Sequence, residues 1–474
     1  MNNCKVFTPL DVANEMLDLA DYHKNLHGKK VLESACGEGH LLVCIVERYI
    51  IDCLECNFDI QYIKEGLEND IWGYDIDDVC SQKCRYSLNQ ITHKYNINEV
   101  KWNIYTADSL LFCPLQRYDY IFGNPPYINY RDIDKNDRNF LKEMYSSCSV
   151  GAFDYCYAFL EHDLSCLSLE GKLVYLVPSS IFKNVYAEKL RQIVQKYVTS
   201  IIDFTTKKLF SGILTSSAIL ICEGKANTEV LRYKNAATDE RENIAKATLN
   251  SDKWIFSSKM ISKQDETHKF SEYFGASIVV ATLLNKAFIL RNASENEFGF
   301  VINGRLIEKD IVKAAASPRS LRYKKIEHII FPYAFNNGQL IHYSKAVFEA
   351  RFPGAKEHLQ SFFEELSLRD TDKSAKWFEY GRSQALSTIC QEKLLISTVV
   401  TNHVEVYSLS ADTVPYAGIY IYGKSSLTLD FAKKILTSDA FLNYVHNIGI
   451  HASGESIRIT SKDVLNFRFR WPEE

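Results

Sequence analysis

Short apolar runs alternate with amphipathic stretches along the first half of the chain. Apolar runs closed by turn residues predict buried β-strands, and apolar positions at helical spacing predict the helices between them. The runs with the strand pattern are residues 29–33, 71–77, 102–105, 118–123, 171–178, 200–204, 207–210 and 216–221. Strands that alternate with helices and end strand-to-strand predict a doubly wound α/β fold, a mostly parallel sheet with an antiparallel terminal strand.

Other stretches lack a clear period. Residues 131–150 are polar and charged, which predicts a mobile loop, and residues 225–270 are polar, which predicts a connector. The remainder of the second half is less regular and predicts a mixed α+β fold. We therefore expect two domains, residues 1–240 and residues 241–474.

The first chemical signal follows the strand at residues 29–33. Residues 34–40 read Ser-Ala-Cys-Gly-Glu-Gly-His, a small-residue turn before a helix. Glycines there let the backbone approach a ligand at the carboxyl edge of the sheet. Glu33 at the strand end suits a ligand with an ammonium group and hydroxyls better than a pyrophosphate. An ordinary strand-to-helix turn is the alternative.

Acidic residues also end the next two strands. Asp75 ends the second strand, where doubly wound folds bind ribose hydroxyls. It lies 38 residues after Gly37, beyond the usual ~20, so residues 49–70 must contain a helix extension or an insertion. Asp108 follows the third strand and can accept a hydrogen bond from an exocyclic amine.

The fourth strand ends in Asn124-Pro125-Pro126-Tyr127. Two prolines have fixed φ and no N–H group, so the chain leaves the sheet stiffly. The Asn amide and the Tyr ring are then held in a defined geometry, which suits a planar amino group that is clamped and stacked. A plain proline-rich turn is the alternative.

Composition is that of a globular protein, with 46% hydrophobic and 24% charged residues among 474. We find no apolar run near the ~18 residues that span a bilayer and no signal peptide, so we expect a cytoplasmic protein with reduced cysteines. Cys53-x-x-Cys56 and Cys80-x-x-x-Cys84 fall in helix-like segments, so buried thiols are expected there and no metal site.

Charge is divided unevenly along the chain. Residues 1–224 hold 22 Lys and Arg against 30 Asp and Glu, a net charge of −8, whereas residues 225–474 hold 33 against 29, a net charge of +4. A basic second half is compatible with contact to nucleic acid. The residues that we expect to contact DNA are Arg319, Arg322, Lys324, Lys325, Tyr380, Arg382, Ser453 and Arg458.

Taken together, these motifs resemble the gamma-class N6-adenine DNA methyltransferases, the TaqI-like family. The order matches: Thr8-Pro9, the glycine turn, the acidic strand end, Ala107-Asp108-Ser109 and Asn124-Pro-Pro-Tyr127. Residues 1–224 carry the specific motifs, and weaker landmarks such as residues 377–382 cover the second half. The resemblance implies a Rossmann-like methyltransferase sheet followed by a DNA target recognition domain.

The resemblance also implies roles for individual residues. Asn124 and the Pro125 carbonyl would accept the two hydrogens of the adenine amino group, and Tyr127 and Phe210 would sandwich the flipped base. The residues that would bind S-adenosylmethionine are Thr8, Glu33, Ala35, Cys36, Gly37, Asp75, Ile76, Asp108, Ser109, Asn124 and Phe159. The sequence departs from the family pattern at Ser34, usually Pro, and at Ser109, often an aromatic residue.

The function implied is methylation of adenine in double-stranded DNA, in a restriction–modification system or as an orphan regulatory enzyme. A monomer is expected, with any cognate restriction endonuclease encoded separately. Methylation of a protein glutamine or an RNA adenine would use the same clamp. A catalytically silent DNA-binding module is the alternative from another class.

Overall fold

The computed structural model describes residues 8–111, 116–205, 216–225, 228–249, 253–256, 268–336, 339–451 and 456–471. The chain divides into two compact units, residues 1–262 and residues 263–474. A strand at Arg241–Ala245 pairs within the first unit, so that unit continues past the boundary expected at residue 240.

The first unit is built on one nine-stranded sheet. Its strands are β1 Val31–Glu33, β2 Ile71–Asp75, β3 Asn103–Thr106, β4 Tyr118–Gly123, β5 Leu167–Pro178, β6 Val198–Asp203, β7 Ser217–Glu223, β8 Val230–Asn235 and β9 Arg241–Ala245. Their spatial order is β3-β2-β1-β4-β5-β7-β6-β8-β9. Strands β1 to β5 pair in parallel, and β7 lies antiparallel between β5 and β6. The predicted α/β sheet with an antiparallel strand is confirmed.

Helices cover both faces of this sheet. They are α1 Leu10–Leu19, α2 His40–Glu55, α3 Ile60–Asp70, α4 Asp78–His93, α5 Lys135–Met144, α6 Cys156–Cys166 and α7 Glu188–Val194. Successive strand residues point to opposite cores: Phe122 packs among the residues of α1 to α4, and Ile121 packs with those of α6 and α7. The extension of α2 and the added α3 account for the long separation between Gly37 and Asp75.

Two segments of the first unit differ from the sequence predictions. Residues 131–150, expected to be a loop, contain α5 and a 3₁₀ turn at Ser146–Cys148, because Asp134 caps the helix and Leu141 is buried. Residues 225–270, expected to be a connector, contain β8 and β9. Each of these strands buries a single apolar side chain, Leu231 or Ile244, which is too few to give a visible alternation.

The second unit combines short strands and short helices, which confirms the mixed α+β prediction. Phe274–Ile278, Ile419–Gly423, Lys393–Ile396 and Val406–Leu409 form a four-stranded sheet in that order. The other strands are His268–Lys269, Ser294–Glu295, Gly299–Ile302, Arg305–Glu308, Val312–Ala316, Glu327–Ile330, Tyr333–Asn336, Gln339–His342, Val399–Val400, Val414–Pro415, Ile450–His451, Ile457–Arg458 and Arg468–Phe469. The helices are Phe270–Tyr273, Asn285–Phe288, Pro318–Arg322, Lys345–Arg351, Pro353–Gln360, Phe363–Ser367, Leu429–Leu436, Asp439–Ile448 and Ser461–Asn466.

Among the described residues of both units, every helix is too short or too polar to cross a membrane.

Candidate active site

The glycine turn leaves β1 with a carboxylate directed into a buried space. Glu33 is 4% exposed, and its Oε2 atom has no hydrogen-bond partner among the described residues. Burial, followed by the proximity of Cys84 and Asp75, holds the pKa of Glu33 well above its usual value. At Gly37, where φ is +53°, an added Cβ would meet no atom within 4 Å. The turn therefore presents an open backbone next to an unsatisfied acceptor.

Strand β2 holds the glycine turn by backbone hydrogen bonds. The Cys36 N–H donates to the Tyr74 carbonyl at 2.8 Å, and the Gly37 N–H donates to Asp75 Oδ2 at 2.9 Å. Asp75 Oδ1 accepts from the Asp77 N–H at 2.8 Å. Each Asp75 oxygen keeps a second lone pair, so the carboxylate can hold the turn and still accept from a ligand hydroxyl. Ile76, next in the chain, is 64% exposed.

The residues after β3 reach the same turn. Ser109 is buried, and its Oγ donates to the Ser34 carbonyl at 2.8 Å. Asp108 Oδ1 accepts from the Leu110 N–H at 2.9 Å, and burial raises the pKa of this carboxyl. The structure thus brings Asp108 and Ser109 to the glycine turn. Ser109 contacts the protein backbone there through its hydroxyl.

Two further expected residues lie in buried positions. Thr8, which precedes α1, is 7% exposed, and Phe159 in α6 is 5% exposed, with its ring 5.7 Å from that of Tyr155. Ala35, within the turn itself, is half-buried.

The Asn-Pro-Pro-Tyr segment leaves β4, which is the neighbour of β1 in the sheet. Because parallel strands end at one edge, Asn124 and Glu33 lie at the same carboxyl edge. The Tyr127 hydroxyl lies 2.8 Å from Asn124 Oδ1 and 3.0 Å from the Leu176 carbonyl, so it can donate to either. Sequence reasoning assigned Tyr127 to stacking only. The structure adds a contact by which its hydroxyl orients the Asn124 amide.

The chain after the Asn-Pro-Pro-Tyr clamp is tied to the segment that precedes α6. The Tyr155 N–H donates to the Ile128 carbonyl at 3.0 Å, and Asn129 forms a β-bridge with Asp154. Burial raises the pKa of Asp154 to about 6. Sequence reasoning missed Asp154. Its position shortly before the aromatic-rich α6 was the one available signal, and it did not indicate a partner 25 residues upstream.

Phe210, the expected second face of the sandwich, lies outside the described residues, and so does Ser453. Tyr127 is therefore the half of the proposed sandwich for which the structure gives contacts.

The remaining second-unit candidates fall into two groups. Tyr380 is 1% exposed and donates its hydroxyl to the Ile330 carbonyl at 2.8 Å, so it packs in the core and is corrected as a DNA-binding residue. Arg322 and Arg382 form ion pairs, with Glu405 at 2.8 Å and with Asp370 at 3.0 Å respectively. Exposed positions are held by Arg319, Lys324, Lys325 and Arg458.

A cleft of about 740 Å³ lies beside the helix Pro318–Arg322. Its lining includes three cations and two tyrosines, together with one acid: Arg291, Arg319, Lys325, Tyr323, Tyr416 and Glu327. Glu327 accepts a hydrogen bond from the Tyr416 hydroxyl at 2.5 Å. In the described part of the chain, Arg319 and Lys325 form no ion pair. The cleft is therefore electropositive, with aromatic surface exposed.

Sheet order and site together define a class. A sheet of order 3-2-1-4-5-7-6 with β7 antiparallel, a glycine turn after β1 and Asn-Pro-Pro-Tyr after β4 make the first unit a methyltransferase-type Rossmann-like domain. Residues 40–210 match the family model described as Eco57I restriction-modification methylase. Through this segment the chain is similar to the Eco57I-type restriction-modification methylases.

Individual proteins are also similar to the chain. The chain is 25% identical to the type II restriction enzyme and methyltransferase RM.Eco57I of Escherichia coli over 68% of its own length and 37% of the relative's. It is 23% identical to the type II methyltransferase M.BstVI of Geobacillus stearothermophilus over 99% of its own length and 90% of the relative's. The chain thus spans well under two thirds of the first relative and most of the second.

Among solved structures, the type IIL restriction-modification enzyme MmeI in complex with DNA has a similar fold. The TM-score is 0.62 at 12% identity, with 96% of this chain and 64% of the MmeI chain covered. The likeness extends over both units.

Proposed function

We propose that the chain is a DNA methyltransferase that transfers a methyl group from S-adenosylmethionine to the N6 amino group of an adenine flipped out of duplex DNA. The observation that carries this proposal is the arrangement at the end of β4. The Asn124 amide oxygen, oriented by Tyr127, lies at the same sheet edge as the Glu33 carboxylate at the end of β1, whose Oε2 atom lacks a hydrogen-bond partner among the described residues.

The residues around the glycine turn fit S-adenosylmethionine. Glu33 Oε2 is a buried acceptor in need of a donor, and the cofactor carries an ammonium group. The free lone pairs of Asp75 would take ribose hydroxyls, and the open space at Gly37 would admit the ligand close to the backbone. When bound, S-adenosylmethionine supplies an electrophilic methyl group on a sulfonium.

The clamp would act on the nucleophile. The amino nitrogen of adenine is a poor nucleophile because its lone pair is delocalised into the ring. Acceptors fixed on both of its hydrogens, Asn124 Oδ1 and the Pro125 carbonyl, favour a nitrogen with a localised lone pair in the transition state. Asn124 Oδ1 has a second lone pair, so it can accept from the amine while Tyr127 donates to it.

Methyl transfer by this route needs the adenine amino group to be positioned against the methyl group, and it needs no strong general base. The base must first leave the duplex, at a cost of a few kcal/mol. Stacking on Tyr127 would offset part of that cost, by about 1–3 kcal/mol for each base–aromatic pair. Phe210 remains our candidate for the opposite face.

DNA would be held by the second unit. The electropositive cleft, with Arg319 and Lys325 unpaired among the described residues and Tyr323 63% exposed, suits a sugar–phosphate strand. The DNA present in the MmeI complex, a protein with a similar fold over both units, supports this assignment. The family match supports a role in restriction–modification. A monomeric state and a separately encoded endonuclease remain predictions.

The central test is Asn124→Ala, assayed with tritiated S-adenosylmethionine and unmodified duplex DNA. We expect methyl transfer to fall at least a hundredfold, with cofactor affinity within a few-fold of wild type, because Asn124 contacts the amine. Asn129→Ala, an exposed amide five residues downstream, is the matched control and should remain active.

If Asn124→Ala transferred methyl groups at the wild-type rate, the proposal would be wrong. Transfer to RNA or to a glutamine-containing protein, with none to DNA, would move the activity to the corresponding alternative. An inactive wild-type protein that still bound DNA would support the silent binding module. Sequencing modified adenines in DNA from an expressing host would give the target site.

A further inference from the structure

A buried carboxylate outside the clamp gathers three hydrogen bonds behind the glycine turn. Asp163 in α6 is 0% exposed. Its Oδ2 accepts from the Ser34 hydroxyl at 2.6 Å and from the Tyr175 hydroxyl, and its Oδ1 lies 2.8 Å from His162 Nδ1. The two hydroxyls are themselves 3.0 Å apart. A fully buried carboxylate needs such partners to remain charged.

The partner on α6 is a cation. Burial alone would lower the pKa of His162, but its hydrogen bonds with Asp163 and Cys166 raise that pKa to about 11. The raised pKa favours the cationic form of His162 beside Asp163, and both groups are removed from water. Breaking one side of such a pair is costly because the other charge remains buried.

A metal ion is a poorer explanation for this cluster. His162, Asp163 and Cys166 are the group of three potential ligands that comes together within the described residues. However, the imidazole and the carboxylate contact each other directly, and the other carboxylate oxygen already accepts two hydroxyls. The Cys166 thiol donates to the His162 carbonyl at 3.2 Å. A hydrogen-bond network accounts for every member.

The network ends on the backbone of the glycine turn. The side chain of Ser34 is fixed by Asp163, and its carbonyl accepts from Ser109 at 2.8 Å. Ser34 lies between Glu33 and Ala35. The residue on each side of Ser34 is therefore one that we expect to contact the cofactor. Ser34 and Ser109 are also the two positions where the sequence departs from the pattern it resembles, and here they contact each other.

Tyr175 extends the network to the clamp. It pairs with Gly123 across β5 and β4, and a Cβ added to Gly123 would lie 2.5 Å from its ring. Gly123 directly precedes Asn124. The Tyr175 ring thus contacts the residue before the clamp, and its hydroxyl donates to Asp163 behind the glycine turn.

We propose that Asp163 is a positioning residue that, through Ser34 and Tyr175, fixes the glycine turn for S-adenosylmethionine and sets its distance from the Asn124 clamp. This inference rests on the proposed function, because it assigns the turn to that cofactor. Asp163 is fully buried, and it reaches the glycine turn and the clamp through the hydroxyls of Ser34 and Tyr175.

The test uses hydroxyl deletions in the full chain, since replacement of Asp163 could prevent folding. Ser34→Ala and Tyr175→Phe each remove one donor, and Ser34→Thr restores the hydroxyl. Ser165→Ala is the matched control, because Ser165 lies on the same helix and its hydroxyl contacts the His162 carbonyl at 2.6 Å and Cys166 Sγ at 3.9 Å, whereas Asp163 bonds the hydroxyls of Ser34 and Tyr175. Titration calorimetry with S-adenosylmethionine, thermal melting, and KM and kcat for methyl transfer are measured for each.

We expect Ser34→Ala and Tyr175→Phe to weaken cofactor binding about tenfold, with KM raised in parallel. For Ser34→Ala, kcat at saturating cofactor should stay within threefold of wild type. Ser34→Thr should bind within threefold of wild type, and Ser165→Ala within twofold. The double variant Ser34→Ala/Tyr175→Phe should lose less than the product of the two single losses, because both act through Asp163.

Wild-type cofactor affinity in both Ser34→Ala and Tyr175→Phe would overturn the inference while leaving the proposed function intact. Equal losses of affinity in Ser165→Ala would also overturn it, because a general loosening of α6 would then explain the effect. A wild-type protein that bound no S-adenosylmethionine at all would remove the proposed function and this inference with it.

Discussion

The burial and hydrogen bonding of Glu33 indicate the kind of ligand that would bind beside it. Its carboxylate is buried, one oxygen lacks a partner among the described residues, and its pKa is held well above the usual value by burial and then by Cys84 and Asp75. A group in this state gains most from a cationic partner. Protonation and cofactor binding should therefore compete.

The first prediction concerns the pH dependence of cofactor binding. Because only ionised Glu33 attracts an ammonium group, affinity for S-adenosylmethionine should rise with pH above the normal carboxyl range and level off once Glu33 is ionised. Glu33→Gln should remove this slope and weaken binding roughly tenfold or more at high pH. Titration calorimetry across pH checks it.

The matched control is Glu38→Gln, because Glu38 lies in the same turn and pairs with Lys83 at 2.8 Å on the surface. It should keep the pH slope of the wild type. If cofactor affinity still rose with pH in Glu33→Gln, the group that controls this pH dependence would be a residue other than Glu33.

The second prediction concerns stability. Burial raises the pKa of Asp154 to about 6, so the fold favours its protonated form. The stabilisation is complete below the ordinary Asp pKa and is lost as pH rises through about 6. Relative to wild type, Asp154→Asn should gain about 1.4 kcal/mol in free energy of unfolding between pH 5 and pH 8.

Urea unfolding at several pH values measures this gain, with the exposed Asp132→Asn as the control. A stability difference that does not change with pH would mean that Asp154 titrates normally in the fold.

At the residue scale, the sequence identified groups by type and position, and it missed contacts across long separations. Glu33, Asp75 and Asn124 were found because each follows a recognisable strand. Asp163 lies 129 residues from Ser34, and no local pattern indicates that the two meet. Tyr380 sits beside charged residues in the sequence, yet it is buried, because aromatic neighbours such as Phe288, 5.2 Å away, surround it.

At the scale of elements, the glycine turn depends on how closely α2 approaches α4. Gly39 has φ of +85°, and an added Cβ would lie 2.7 Å from Cys84 Sγ and 3.2 Å from Cys84 Cα. The helix N-terminus therefore lies against α4 with no room for a side chain. Gly28 has φ of +80° but would meet no atom within 4 Å.

The third prediction compares these two glycines. Gly28→Ala should cost only the left-handed backbone strain, about 1–2 kcal/mol. Gly39→Ala carries the same strain and a clash with backbone, so it should be clearly less stable than Gly28→Ala and should lose cofactor affinity. Thermal melting and cofactor titration of the pair measure the difference, and equal stabilities would show that the two helices can separate freely.

Elements with strong periodicity were predicted well, and weakly amphipathic ones were not. Strands β1, β2, β4 and β5 are buried on both faces, so their apolar runs are continuous. Strand β9 forms the sheet edge and β8 lies next to it, and each has one buried apolar residue among polar and charged ones. Their assignment to the sheet depends on the pairing of β8 with β6 and of β9 with β8, which the local sequence does not encode.

At the scale of the whole molecule, the acidic first half holds the proposed chemistry, and the more basic second half holds the cleft lined by Arg319 and Lys325. This division means that DNA affinity and cofactor affinity should respond to different substitutions.

The fourth prediction follows from that division. Arg319→Ala and Lys325→Ala should weaken DNA binding, and each should reduce the slope of log affinity against log salt by about 0.9 for each lost phosphate contact. Cofactor titration should be unchanged, because both residues lie in the second unit. Lys434→Ala, an exposed cation on the helix Leu429–Leu436, is the control. Unchanged salt slopes in both cleft variants would place the DNA elsewhere.

The bridge between Asn129 and Asp154 has a consequence for how such enzymes diversify. The two ends of the intervening segment, which carries α5, are joined side by side by this bridge and by the hydrogen bond between Tyr155 and Ile128. The length and content of that excursion can then change between relatives while Asn124 keeps its position. Insertions placed there would reshape what approaches the clamp without a penalty in the chemistry, so this short bridge decouples evolutionary variation from catalytic geometry.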